Sequence, residues 1–284
     1  MSLQGEIEGF VAAGASADRD AVREAFARLR KALSAGEIRA AEPDASSPDG
    51  WRVNAWVKQG ILLGFRFGQT VDMSLTHPER YWPFFDKDTL PPRTFQAGVQ
   101  AGVRIVPGGS SVRDGTYIAA GVICMPPMYI NIGAWIGEET LIDSHALVGS
   151  CAQVGARVHV SAAAQVGGVI EPVGALPVII EDEALIGGNS GIYEGAIIKT
   201  RAVVGAGTVL TGSTPVYDLV RGEIIRPTAD RPLVIPEGAV VVPGARAVTG
   251  GKGPEWGLAL ATPVIVKYRD SRTDTRTGLE AWIR

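Results

Sequence analysis

The chain has 284 residues, enough for one large domain or two ordinary ones, and 46% of them are hydrophobic, which allows a substantial core. A formal net charge of −3 gives no electrostatic support for binding to nucleic acid or to an acidic membrane surface. With 36 Gly, 18 Pro and only 7% aromatic residues, the composition favours short strands of small side chains joined by tight corners.

The first residues, MSLQGEIEGFVAAGAS, lack the basic start and apolar core of a secretory signal. No apolar run reaches the length of a membrane-spanning helix. We therefore expect a soluble, cytoplasmic protein. Its two cysteines, Cys124 and Cys151, fit neither a disulfide framework nor metal-ligand spacing, and we expect both to be small buried hydrophobic residues.

Residues 17–42 predict an amphipathic helix, because Val22, Phe26, Leu29 and Leu33 recur at helical spacing. A second short helix is expected after Gly36. Residues 43–50, PDASSPDG, are typical of a loop. The aromatic and aliphatic stretch WRVNAWVKQGILLGFRFG that follows is compatible with either a helix or an extended chain. The proline-containing stretch YWPFFDKDTLPPR predicts a linker.

From Val106 an apolar residue recurs at every sixth position. The series runs through Val106, Val112, Ile118, Cys124, Ile130, Ile136, Ile142, Val148, Val154, Val160 and Val166, and it resumes as Ile180, Ile186, Ile192, Ile198, Val204 and Leu210, then Ile235 and Val241. The residue four positions after each is small or β-branched, apart from Met128. This period belongs to neither an α-helix nor an amphipathic strand, and it is typical of a parallel β-helix.

In such a solenoid each six-residue unit is a short strand plus a corner, and three units close one triangular coil. The periodic residue fills the axis, and stacked coils pair their backbones in parallel ladders. Coils contact only their neighbours, so the ends need caps, and the helical N-terminal segment can supply one. We predict an N-terminal helical domain and linker at 1–100, the β-helix at 101–250, and an extension at 251–284 formed by a strand and a short helix.

A packed interior leaves the outer face as the place for a site. Among the outward positions one residue after the axial ones, Asp143 is the only carboxylate and Arg113 the only cation up to residue 167. Asp143 is either an exposed surface acid or a general base that also orients an amine, and His145 could share that task. The glycines of VGSCAQVG would let an extended ligand lie along the corners, although small residues are also what such corners tolerate.

A zinc site between subunits, made of histidines, is the competing chemistry for this kind of solenoid. The chain has only His77, His145 and His159, and neither the repeat nor their spacing brings them together as ligands. We expect no metal.

Several longer strings carry a resemblance. RIVPGGSSVRDGTYIA, NIGAWIGEETLIDSHALVGSCAQVG, GGVIEP, IIEDEALIGGNSGIYEGAII and PVIVKYRD, together with WRVNAWVKQGILL near the N-terminus, resemble the tetrahydrodipicolinate N-succinyltransferase family. The resemblance implies a left-handed parallel β-helix, a handedness that physics alone does not give, since parallel crossovers are usually right-handed. It also implies a homotrimer with sites between subunits and succinyl-CoA as co-substrate, in lysine and diaminopimelate biosynthesis.

Residue by residue, the resemblance assigns Arg104 to a substrate carboxylate and Asp143 to the attacking amine. It places the backbone of Gly167 and Gly168 near the thioester. Gly191 departs from the family pattern, because it stands where an acidic residue with a catalytic part is expected. Lys199, Lys252 and Lys267 are candidate partners of the CoA phosphates.

Two other hypotheses remain open from the sequence. An N-acetyltransferase acting on the same or a related amino acid would share the solenoid and differ in the size of its acyl pocket. A structural trimer without catalysis would need none of the candidate substrate-binding residues Arg104, Arg113 and Asp143.

Overall fold

The computed structural model describes residues 2–74, 84–94, 102–228 and 231–270. The N-terminal region has three helices and two short β-ribbons: α1 Leu3–Ala13, α2 Arg19–Ala35, β1 Ala41–Pro43, β2 Trp51–Val53, α3 Ala55–Phe67, β3 Thr70–Asp72 and β4 Phe85–Lys87, with a 3-10 turn at Gly14–Ser16. β1 pairs with β2 and β3 with β4, both antiparallel. No helix in these described segments is long and apolar enough to cross a membrane.

The predicted helix at 17–42 is confirmed as α2, although it is shorter than predicted. The Asp18 side chain accepts a hydrogen bond from the Ala21 N–H (2.9 Å) at its start, and Gly36, in the left-handed conformation, ends it. The expected short helix after Gly36 is wrong, because the chain there becomes β1 and pairs with β2. The open choice over 51–68 resolves as a strand, β2, followed by α3.

Residues 104–210 form strands of two residues each. They are β5 Arg104–Ile105, β6 Ser111–Val112, β7 Tyr117–Ile118, β8 Ile123–Cys124, β9 Tyr129–Ile130, β10 Trp135–Ile136, β11 Leu141–Ile142, β12 Leu147–Val148, β13 Gln153–Val154, β14 His159–Val160, β15 Gln165–Val166, β16 Ile179–Ile180, β17 Leu185–Ile186, β18 Gly191–Ile192, β19 Ile197–Ile198, β20 Val203–Val204 and β21 Val209–Leu210. Five further strands follow: β22 Val216–Asp218, β23 Glu223–Ile225, β24 Val234–Ile235, β25 Ala239–Ala247 and β26 Ala259–Tyr268.

Three sheets enclose the axis. Sheet A has the order β21-β18-β15-β12-β9-β6, sheet B the order β24-β19-β16-β13-β10-β7, and sheet C the order β23-β22-β26-β25-β20-β17-β14-β11-β8-β5. The chain visits sheets C, A and B in turn, so each strand of the coil pairs in parallel with the strand one coil on, as β11 does with β14. The predicted fold class, an all-β solenoid of the left-handed parallel β-helix type with a helical N-terminal region, is confirmed.

The axial residues form one continuous core. Ile130, Ile136, Ile142 and Val148 are fully buried, and so are the small residues predicted to lie beside them, such as Ala152. One position of the predicted register is wrong. Ile105, rather than Val106, lies in line with Cys124, because the first corner is one residue longer and contains Gly108 and Gly109.

The N-terminal helices pack on the prism through a second core. Phe26, Leu29 and Ile61 join Ile132 and Cys151 of the solenoid there. The β1–β2 ribbon covers sheet B further along, where Ala41 and Trp51 contact Ile179 and Ile197. The chain's own N-terminal region therefore covers sheet B, which leaves sheets A and C as the other two faces of the prism.

The C-terminal strand β26 is antiparallel to β25 and extends sheet C, which agrees with the predicted strand. The short helix predicted after it falls in 271–284, outside the described residues. The proposed domain limits at 100 and 250 remain predictions.

Candidate active site

Asp143 lies at the corner where the chain passes from β11 in sheet C to β12 in sheet A. Its Oδ1 accepts a hydrogen bond from the Ser144 N–H (2.7 Å). Its Oδ2 lies 3.6 Å from Nε2 of His159, and the two side chains are 29% and 21% exposed. The corner thus presents a carboxylate that a backbone donor holds on one side and that an imidazole faces on the other.

His145 lies at the same corner with an exposed side chain. Its φ of 62° is left-handed, and its N–H donates to the Pro127 carbonyl (2.5 Å). The same conformation recurs three residues after other axial positions, as at Glu139, Cys151, Arg157 and Ala163. The backbone conformation of His145 therefore follows from the corner geometry.

Arg104 stands on β5, at the N-terminal end of sheet C. In the strand register Arg104 is aligned with Ile123, Ile123 with Leu141, and Leu141 with His159. These side chains alternate with the axial ones and so share the outer face of sheet C. At the usual strand spacing, Arg104 lies roughly 10 Å along the prism from the coil of Asp143.

Gly167 and Gly168 lie at a different corner, between sheets A and B. They begin an excursion of the chain that separates β15 from β16 and lines a cavity of about 750 Å³ with Trp51, Tyr193 and Arg231. The Gly167 N–H donates to the Ile192 carbonyl (2.8 Å), so of the two predicted backbone donors this one already has an acceptor.

Gly191 is covered by Tyr193. A Cβ at position 191 would lie 2.4 Å from the Tyr193 ring, and the Tyr193 hydroxyl donates to Oε1 of Gln165 (2.8 Å). The ring therefore occupies the space that a side chain at 191 would need. The Tyr193 ring therefore stands where the family pattern would place the side chain of an acidic residue at position 191.

Arg113 lies at the corner between sheets A and B, with an 18% exposed side chain paired to Asp86. Its Nη1 also donates to Oδ1 of Asn131 (3.4 Å). Together with Phe84 and Tyr129 it lines a separate cavity of about 720 Å³.

Of the candidate lysines, Lys199 is engaged within the chain. Its Nζ lies 2.8 Å from Oε1 of Glu181 and 3.0 Å from the Asp49 carbonyl oxygen. Burial acts to raise the pKa of Glu181, but hydrogen bonds from Lys199 and Trp51 outweigh it and lower that pKa. Lys199 thus ties the 43–50 loop to the prism.

The other two lysines, Lys267 and Lys252, are exposed. Lys267 lies 3.4 Å from Oδ1 of Asp270, and Lys252 lies 2.6 Å from Oε2 of Glu255. Each lysine is therefore paired with a nearby carboxylate.

The structure brings together two groups that the sequence analysis missed. The first is His159, which stands one residue before an axial position. The sequence candidates Asp143 and Arg113 stand one residue after an axial position. The second is a cluster of arginines, Arg201, Arg221 and Arg269, around a cavity of about 320 Å³ beside Tyr268. Arg221 and Arg269 come from elements beyond the regular repeat, so no local pattern signals their approach to Arg201.

The predicted site residues lie on different edges of one prism. Asp143 is at the C-to-A corner, Gly167, Gly168 and Arg113 are at the A-to-B corner, and Lys199 is at the B-to-C corner. The cavity that Gly167 and Gly168 line does not include Asp143. Nor do the described residues gather three side chains suited to hold a metal ion.

The comparisons with known proteins cover almost the whole chain. A family model described as tetrahydrodipicolinate N-succinyltransferase N-terminal matches residues 2–67, and one described as hexapeptide repeat of succinyl-transferase matches residues 177–212. A 2,3,4,5-tetrahydropyridine-2,6-dicarboxylate N-succinyltransferase of Nitrobacter hamburgensis is 39% identical over 274 residues, which is 95% of this chain and 92% of the relative. One of Xylella fastidiosa is 37% identical over 270 residues, covering 93% and 90%.

Among solved structures, a crystal structure from Campylobacter jejuni, described as a 2,3,4,5-tetrahydropyridine-2-carboxylate N-succinyltransferase, superposes with a TM-score of 0.55 at 17% identity. The match covers 90% of this chain and 64% of that one. At this identity the match supports the fold alone.

Proposed function

Since this chain belongs to the tetrahydrodipicolinate N-succinyltransferase family and is an acyltransferase, we propose that it transfers the succinyl group of succinyl-CoA to the amine of ring-opened tetrahydrodipicolinate. The product would serve lysine and diaminopimelate biosynthesis in the cytoplasm. The observation that carries the proposal is the 39% identity to a named enzyme over 95% of the chain, which includes both the N-terminal helices and the solenoid.

In the proposed reaction the substrate amine attacks the thioester carbonyl carbon, a C–N bond forms, the C–S bond breaks, and CoA leaves as its thiol. Asp143 orients the amine and takes up its proton. Arg104 binds a substrate carboxylate through its planar fork of donors, on the same outer face of the prism. The backbone of Gly167 and Gly168 lies near the thioester, with the Gly168 N–H as the donor to the developing oxyanion.

We further propose that the phosphates of CoA bind among Arg201, Arg221 and Arg269, beside Lys267. The grouping of three guanidinium groups around one cavity supports this assignment; Glu237 also lines that cavity, and Arg269 donates to the Glu183 and Arg201 carbonyls. Arg113 would serve the dicarboxylate from the neighbouring corner. The scheme uses no metal, and the part of the chain that the structure describes has no group of three His, Cys, Asp or Glu side chains that could hold one.

A homotrimer is part of the proposal. Asp143 and the glycine pair lie at different corners of one prism, so a site that uses both needs a second copy of the chain. The N-terminal helices pack against Ile132 and Cys151 at the A-to-B corner and the β1–β2 ribbon packs on sheet B, away from the Asp143 corner.

The test is the rate of free-thiol release from succinyl-CoA and from acetyl-CoA, with L-2-aminopimelate as acceptor, for the wild type and for Asp143→Asn. We expect succinyl-CoA to be preferred and the variant to lose at least a hundredfold in kcat, as for loss of an acid–base group. Glu138→Gln removes an exposed carboxylate from another corner of the same coil and serves as the matched control.

The enzyme's own thiols will not disturb that assay. Burial raises the pKa of Cys124 and of Cys151 to about 12, and both are fully buried. A preference for acetyl-CoA would favour the N-acetyltransferase hypothesis. Absence of turnover with either donor, and of any rise in the melting temperature with CoA, would favour the structural trimer.

A further inference from the structure

His159 is placed against Asp143 by the solenoid itself. β14 follows β11 by one coil, so His159 stacks on Leu141, and Asp143 lies two residues beyond Leu141 at the corner. The resulting distance from Nε2 to Oδ2 is 3.6 Å. An imidazole shift of well under 1 Å would close this gap to a hydrogen bond.

Asp143 is an acid that faces this imidazole, and the imidazole's neighbours on sheet C are apolar. The strands on either side, β11 and β17, present Leu141 and Leu185 at the aligned positions. At the preceding corner Arg157 and Glu183 are paired with each other at 3.2 Å. Both partners of the His159–Asp143 pair are mostly shielded from solvent, so their interaction is screened less than that of a surface pair.

The chemistry of the proposed reaction needs a group of this kind. An amine attacks only in its neutral form, and its nitrogen must lose a proton once the C–N bond forms. A carboxyl group in water has a pKa of about 4 and holds such a proton poorly at neutral pH, whereas an imidazole has a pKa of about 6.5. Proton transfer is efficient when the pKa of the acceptor lies near the working pH.

We propose that His159 is a positioning residue that acts through Asp143: it holds the carboxylate in place and accepts the proton that the carboxylate takes from the substrate amine. This inference rests on the proposed acyl transfer. Neutral amine and thioester give amide and thiol, so the proton leaves nitrogen, passes to Asp143 and His159, and finally reaches the CoA sulfur. No other reactant is required.

The kinetic test is the pH profile of kcat and kcat/KM for His159→Gln, a variant that keeps a polar side chain but cannot titrate. We expect kcat to fall at least tenfold, KM for succinyl-CoA to stay within twofold, and the acidic limb of the wild-type profile to disappear. A fall in kcat with an unchanged profile would show a merely structural role and would overturn the proposal, as would wild-type kinetics. His145→Gln is measured in parallel. Loss of the acidic limb of the pH profile in that variant would assign the proton-accepting role to His145.

A second measurement does not depend on activity or on how well His159→Gln folds. Histidine NMR titration of the wild type and of Asp143→Asn follows each imidazole directly. We expect the His159 midpoint to move to lower pH when the neighbouring negative charge is removed. An unmoved His159 overturns the pairing even in an active enzyme. Absence of turnover in the wild type would instead count against the proposed function, and the titration would still decide the pairing.

Discussion

Tyr193 explains, at the scale of single residues, why position 191 is glycine in this chain. Its ring lies where a side chain at 191 would begin, and its hydroxyl is held by Gln165. The strand can therefore accept a larger residue at 191 only if the ring moves away. Sequence comparison can notice the missing acid, but only the structure identifies the ring that replaces it.

The prediction is that Gly191→Glu destabilises the protein by about 2 kcal/mol or more, since overpacking a tight contact typically costs 1–3 kcal/mol. Urea unfolding of the variant measures this loss. The double variant Gly191→Glu with Tyr193→Ala should recover most of it, because the ring is gone. Equal losses in the single and double variants would show that the Tyr193 ring is not the obstacle.

His159 shows why the site residues were only partly predictable. Period six identifies the axial positions, and the predicted candidates Asp143 and Arg113 are residues that directly follow them. The residue before each axial position also points outward, and at that place His159 stands between Leu141 and Leu185 in adjacent coils of sheet C. A search of both outward positions would have found it. The arginine cluster could not be found in this way, because Arg221 and Arg269 reach Arg201 from outside the repeat.

At the scale of the elements, the neighbouring coil leaves no room for a side chain at two of the corner glycines. A Cβ at Gly149 would lie 2.1 Å from the Gly168 nitrogen, and one at Gly155 would lie 2.7 Å from the Asp182 nitrogen. Small corner residues can be explained by an extended ligand along the corners or by the limited space at the corner itself. These contacts support the second explanation. The backbone of the next coil, rather than a ligand, fills the space.

We expect Gly149→Ala to lower the stability by about 2–4 kcal/mol, because the added methyl group meets backbone atoms that cannot rotate away. Thermal unfolding measures the effect. Gly174→Ala is the matched control: it lies in the excursion that begins at Gly167, and its Cβ would meet nothing within 4 Å. A loss at Gly174 as large as that at Gly149 would contradict the explanation.

Lys58 links α3 to the excursion. Its side chain is fully buried, and its Nζ donates to the Ala175 carbonyl. Burial lowers the pKa of Lys58. Replacing a buried charged group by an apolar side chain of similar volume is often neutral for global stability, whereas the hydrogen bond of Lys58 fixes the excursion beside the Gly167 corner.

Lys58→Met should therefore change the free energy of unfolding by no more than about 1 kcal/mol at pH 7, yet increase amide exchange of residues 167–178 about tenfold. The sign of the pH dependence follows from the lowered pKa. The unfolded chain binds this proton more tightly, so the wild type gains stability relative to the variant as the pH rises toward the ordinary lysine pKa of about 10.4. Exchange and urea unfolding measure both effects, and unchanged exchange in the excursion would contradict the link.

The elements themselves were predictable to different degrees. The solenoid follows from its period, since every sixth residue must fill a narrow axis. The prediction of a short helix after Gly36 is wrong because β1 pairs with β2 there. This contact between distant residues overrides local propensity. Val106 was misplaced by one position because two flexible glycines in the first corner, Gly108 and Gly109, absorb an additional residue without breaking the apolar pattern.

At the scale of the whole molecule, the three edges of the prism carry different chemistry. One edge has Asp143 with His159, the next has the excursion with Gly167 and Gly168, and the N-terminal ribbon lies across the face beyond. A cyclic trimer repeats the same contact three times. In that contact one edge of a copy faces a different edge of its neighbour. The proposed site is complete only if these edges meet between copies.

Mixing two variants, each of which we expect to lose activity because it alters a proposed site residue, tests this arrangement. Asp143→Asn alters the C-to-A corner and Arg113→Ala the A-to-B corner, so a site between copies is intact when one copy supplies each undamaged edge. With random mixing of equal amounts, about a quarter of the sites regain both groups, and activity should return to about that fraction of the wild type. If each site lay within one chain, every chain would carry a lesion and no activity would return. The two variants are unfolded and refolded together so that their subunits mix. Folded trimers of the two variants mixed without unfolding, whose subunits do not exchange, provide the baseline against which the recovered rate is read.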